Sequence, residues 1–131
     1  MGASRFSGPV SSTNGFVGAL TGAVTATTAS ASTSLTVGGG TAVTKIVKGT
    51  VAVNPSSLTT GTGEILTVTL TGAAVGDAII LHPPAAGLTT GLQICQAYVS
   101  ATNEVKIQIW NPTGGTIDEA SANWIYTLIR S

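Results

Sequence analysis

Charge is what this chain has least of. Its 131 residues hold five basic and five acidic side chains, 8% of the sequence, and the formal net charge is zero. A nucleic-acid binder presents a basic stripe to the phosphates, and Arg5, Lys45, Lys48, Lys106 and Arg130 are too scattered to supply one. Lys45 and Lys48, three apart on a strand, face opposite ways. So little charge gives little colloidal repulsion, which suits a surface covered by another protein better than one left in water. A single cysteine, Cys95, excludes an intrachain disulfide framework. No apolar run is long enough for a membrane: Val17–Val37 is uncharged but dominated by Thr, Ser, Ala and Gly. Met-Gly-Ala-Ser-Arg-Phe lacks the apolar centre of a secretion signal. Asn54-Pro-Ser and Asn111-Pro-Thr resemble glycosylation acceptors, but the central proline disqualifies both.

Reactive groups are equally sparse. His82 is the only histidine, and a nucleophilic arrangement would need it beside Cys95 or a serine, with Asp77 or Asp118 as orienter. No nucleophile elbow is present, and Cys95 falls in a strand pattern where a free cysteine reads as a small buried hydrophobe. The adjacent pair Asp118-Glu119 could offer oxygens to calcium, but six or more are needed, and Glu64, Asp77 and Glu104 come from unrelated segments. Capping a short turn at 118–122 is the better use of that pair. The expectation is no enzyme, no cofactor and no metal site.

What is present is β-pattern. In Glu104–Trp110, Val105, Ile107 and Ile109 alternate with polar neighbours and Trp110; in Asn123–Arg130, Trp124, Tyr126 and Leu128 form the corresponding set. The two stretches read as a hairpin-like pair at the centre of a core. Upstream, Val43–Val53 sets Val47, Val51 and Val53 against Lys48, Thr50 and Ala52, with Gly49 placed to bend the strand or host a bulge. Glu64–Thr71 sets Leu66, Val68 and Leu70 against Ile65, Thr67 and Thr69, and a turn at 74–77 leads into Ala78–His82. There Ile79-Ile80-Leu81 suggests cover on both faces, and Pro83-Pro84 ends the strand. Leu92–Ser100 and a turn at 101–103 complete the set. Six or seven strands without a long helix predict an all-β domain over residues 41–131, a small β-sandwich or jelly-roll-like barrel.

Residues 1–40 differ in kind. No ionisable side chain lies between Arg5 and Lys45, and the scattered apolar residues make no stripe. The segment reads either as a disordered tail or expression remnant, or as an extended arm that orders by strand addition on a partner. Phe6 and Phe16, ten residues apart, favour the arm, with Gly38-Gly39-Gly40 as its hinge.

Ser4-Arg5-Phe6-Ser7-Gly8-Pro9-Val10, followed by Ser12-Thr13-Asn14-Gly15-Phe16, resembles the opening signature of small structural proteins of tailed bacteriophages. Thr41–Gly49, Leu70–Asp77 and Asn111–Arg130 are similar to a β-domain found in such proteins. The resemblance implies a capsid decoration, or cement, protein: a homotrimer on the virion head surface, made in the host bacterial cytoplasm. It would bind the major capsid protein between capsomers and stabilise the shell, with no nucleic-acid or membrane partner. By motif position, Arg5, Phe6, Asn14 and Phe16 are the expected capsid contacts. The alternative is a head-fibre or tail-associated protein whose β-domain binds a host receptor or glycan. A tryptophan at an exposed site would favour the fibre, and buried tryptophans the cement protein.

Overall fold

The computed structural model describes residues 33–36, 39–84 and 86–131. Arg5, Phe6, Asn14 and Phe16 lie outside these residues. Six strands follow in order: β1 (Lys45–Val53), β2 (Thr62–Thr69), β3 (Ala78–His82), β4 (Gln93–Ala101), β5 (Glu104–Asn111) and β6 (Ala122–Arg130). They form two antiparallel three-stranded sheets, ordered β1-β6-β3 and β2-β5-β4. The protein is all-β, a small sandwich, and no helix occurs among the described residues.

The two most regular strands are not a hairpin. β5 is the central strand of one sheet and β6 of the other, so their inward side chains face each other across the core. Val105, Ile107 and Ile109 of β5 are fully buried, as are Trp124 and Leu128 of β6. Val53, Val68, Leu70 and Val99 complete the walls, while Leu58, Leu92 and Ile117 close the ends. Burying one large aromatic removes on the order of 200 Å² from water, or about 5 kcal/mol at the usual area coefficient. That exceeds the roughly 1–3 kcal/mol cost of the Trp124 indole N–H, which meets no acceptor among the described residues.

Local chemistry explains most of the departures from pattern. Gly49 hosts no bulge, since the β1–β6 register is unbroken from Lys45↔Arg130 to Val53↔Ala122. It leaves room for the ring of its cross-strand partner Tyr126, whose Oη lies 2.7 Å from where a Cβ would stand. Ile80 is 49% exposed, so β3 is covered on one face only: it is an edge strand, and nothing lies over its outer side among the described residues. Residues 118–122 form no helical turn to cap; Glu119 is buried and accepts the Thr89 backbone N–H at 2.8 Å, tying down the loop before β4.

β4 contains two irregularities. Its pairing with β5 shifts between Ile94 and Gln96 and again between Val99 and Ala101. Ile94 and Val99 both turn toward the core yet are five positions apart, an odd interval that a strict period of two cannot serve. The extra residue at Cys95 resets the phase, so that Ile94, Ala97 and Val99 point inward while Gln96 and Tyr98 point out. Cys95 is therefore exposed rather than a buried hydrophobe. The β4–β5 turn is tight, with Asn103 at φ 61°, a conformation that asparagine tolerates well.

Candidate interaction surfaces

One end of the sandwich is held by a compact ionic cluster. Lys45 and Arg130 stand opposite each other in register, two cations side by side. Arg130 donates from Nε and Nη2 to the two carboxylate oxygens of Asp77, both at 2.6 Å. Arg130 Nη2 and Lys45 Nζ also donate to the Gly72 carbonyl, at 3.0 and 3.1 Å. The Ala74 N–H donates to Asp77 as well, at 2.9 Å. The bonded guanidinium holds the buried Asp77 carboxyl below the usual carboxylate range against the opposing effect of burial, and Asp77 in turn raises the pKa of Arg130. Both Asp77 oxygens thus fasten the β2–β3 loop to β6, and Lys45, through the Gly72 carbonyl, ties the same loop to β1.

The other polar knot is Asn111, which has no exposed surface. Its Nδ2 donates to the carbonyls of Leu58, Thr59 and Gly115 at 2.9, 3.3 and 2.8 Å. Its Oδ1 accepts from the backbone N–H and the hydroxyl of Thr113, at 3.0 and 2.6 Å. One side chain so joins the β1–β2 connection to the β5–β6 connection.

The reactive residues singled out in the sequence are not gathered. His82 is exposed at the end of β3, Cys95 is exposed on the bulge of β4, and Asp77 is committed to Arg130. No group of three or more potential metal ligands occurs among the described residues. Glu64 accepts from the backbone N–H and hydroxyl of Ser56, at 2.7 and 2.5 Å.

The two outer faces of the sandwich differ in chemistry. On the β1-β6-β3 sheet, register aligns Ile46 with Ile129 and Ala78, Lys48 with Thr127 and Ile80, and Thr50 with Ile125 and His82. Four isoleucines share this face with no carboxylate. Ile46 is 64% exposed. It also lines a groove of about 370 Å³ bounded by 33–35 and 41–46, where Leu35 and Val43 exchange backbone hydrogen bonds of 2.9 and 2.8 Å. On the β2-β5-β4 sheet, register aligns Gly63 with Trp110 and Gln93, Ile65 with Gln108 and Gln96, and Thr67 with Lys106 and Tyr98. Here the character is aromatic and carboxamide. The tryptophans divide: Trp124 is core, whereas Trp110 is 39% exposed on this second face.

Comparison of the chain with protein-family models, with curated proteins and with solved structures finds no match to any of them.

Proposed function

We propose that this protein is a structural component of a tailed-phage virion, a capsid decoration protein that self-associates and binds between capsomers. The observation that carries the reading is the isoleucine face of the β1-β6-β3 sheet, where Ile46 and Ile80 are 64% and 49% exposed. An exposed sheet face of that composition is unfavourable in water and favourable against another protein. The same face is flanked by the groove at Leu35, Val43 and Ile46, which adds apolar surface to it. The opening motif containing Arg5, Phe6, Asn14 and Phe16 adds the resemblance to phage structural proteins. In a homotrimer, three weak attachments to major capsid protein would act together, so that modest single contacts yield tight binding.

The test mixes the purified full-length chain with expanded, undecorated phage heads. Saturable, stoichiometric binding that raises the melting temperature of the heads is expected, along with loss of binding on deleting residues 1–40. Ile46→Lys with Ile80→Lys should reduce the self-associated species, measured by light scattering, while the circular dichroism spectrum stays that of a β-protein. A wild-type chain that stays monomeric and ignores the heads would overturn the reading.

A further inference from the structure

The opposite face of the sandwich carries a second arrangement that the decoration role leaves unused. Trp110 and Tyr98 are 39% and 41% exposed, although large aromatics gain most from burial. Both lie on the outer side of β2-β5-β4, and both are placed there by a local device. The ring of Trp110 occupies the space above Gly63, its cross-strand partner, where a Cβ would lie 2.8 Å from Cε3. Tyr98 owes its outward direction to the bulge at Cys95, which shifts the phase of β4. Register sets Tyr98 opposite Lys106, four positions from Trp110 along β5. At about 3.4 Å per residue the two rings stand roughly 14 Å apart along the strand.

Between them lies a hydrogen-bonding pair. Gln96 Nε2 donates to Gln108 Oε1 at 2.9 Å, which leaves the Gln96 carbonyl as an acceptor and the Gln108 amide as a donor facing solvent. Gln93 adds a third carboxamide beside Trp110. The ionic groups of the face, Lys106 and Glu104, cancel. A single-stranded nucleic acid would also stack on spaced aromatics, but it needs a positive groove, which this face lacks.

We propose that this face binds a neutral, extended oligosaccharide along the line from Trp110 to Tyr98. The ligand matches in charge and in chemistry: pyranose rings present apolar C–H faces to stack on the two aromatics, and paired hydroxyls to meet the free acceptor and donor of Gln96 and Gln108. The proposal does not rest on the decoration reading, because it uses the other sheet.

The experiment titrates the full-length chain with cellohexaose, chitohexaose and maltohexaose up to about 10 mM. It follows amide shifts by NMR and tryptophan fluorescence, and oligothymidylate is the charged control. Saturable shifts on β4 and β5 with at least one hexaose are expected. Tyr98→Ala and Gln108→Ala should each weaken binding by about tenfold, and Ile80→Thr on the opposite face should leave it unchanged. Should Trp110→Ala fail to fold, Tyr98→Ala and Gln108→Ala, both at exposed or half-buried positions, carry the test. Binding that survives both variants, shifts confined to the isoleucine face, preference for oligothymidylate, or no shift with any hexaose would each overturn the proposal. Failure to bind phage heads would leave it standing.

Discussion

Replacing Asn111 by aspartate changes one atom type and almost no volume, yet it should be among the most damaging single substitutions in this fold. The three carbonyls of Leu58, Thr59 and Gly115 meet Nδ2 at 2.9, 3.3 and 2.8 Å. In Asn111→Asp each would face an oxygen instead. A carboxylate presents an oxygen on both sides, so flipping the side chain brings no relief, while the opposite oxygen keeps its donors from Thr113. Each lost hydrogen bond is worth about 1 kcal/mol net, and a buried acceptor left unpaired costs about 1–3 kcal/mol. The total is at least about 3 kcal/mol, a large share of the roughly 5–15 kcal/mol that holds a domain together. Asn111→Ala should cost a similar amount through the lost hydrogen bonds, a Thr113 N–H left without its acceptor and a small cavity, but independently of pH. The penalty of the aspartate variant instead depends on pH. Burial against carbonyl oxygens raises its folded-state pKa above the unfolded value near about 3.9, so the penalty is full above the raised value. It then shrinks as pH falls from there toward 3.9. Urea denaturation at pH 7 and near pH 5 measures both effects. Wild-type stability for Asn111→Asp at pH 7, or a penalty that grows on acidification, would refute the reasoning.

Two further outcomes follow from geometry already described. In Gly63→Ala the new Cβ would sit 2.5 Å from the Ile109 carbonyl oxygen and 2.8 Å from Trp110, so backbone must move; a loss of about 1–3 kcal/mol is expected by chemical denaturation, with changed Trp110 fluorescence. Unchanged stability would mean that β2 and β5 are not in this register. Asp77, whose carboxyl is held below its ordinary range by Arg130, contributes stability that is complete above the unfolded carboxylate value near about 3.9 and lost as pH falls through the lower folded value. Thermal melts across that interval should show the drop, and Asp77→Asn should flatten it.

The core was legible where a period of two held without interruption. Val105, Ile107, Ile109, Trp124 and Leu128 announce their inward direction by spacing alone, as do Val51 and Val53. Pairing was not legible. The link at 112–121 is long enough either to turn back or to cross to another sheet, and only the folded chain shows that it crosses. β4 carries a legible irregularity: two inward residues at an odd interval, Ile94 and Val99, require an inserted residue somewhere between them. Asn111-Pro-Thr-Gly-Gly has the composition of a side-chain-bonded turn as well as of a disqualified glycosylation acceptor, and composition alone does not say that the amide is buried. The platform at Trp110 and Tyr98 was beyond reach, because its members come from two strands and depend on a register and a bulge. The face that bears Ile46 and Ile80 was half visible, the isoleucines apparent but their exposure not. For Arg5, Phe6, Asn14 and Phe16 the sequence motif is the whole argument.

The central place of β6 also sets a timetable. Both neighbours in its sheet, β1 and β3, pair with it and not with each other, and Lys45 finds its partner only at Arg130. The β2-β5-β4 sheet is complete in sequence once Asn111 has been made, whereas the other sheet lacks its middle until β6 has been made. A growing chain would hold one complete set of strands and two unmatched ones until β6 emerges. Contacts this distant in sequence are slow to form, and loss of the nine-residue β6 would cost a whole sheet rather than one edge.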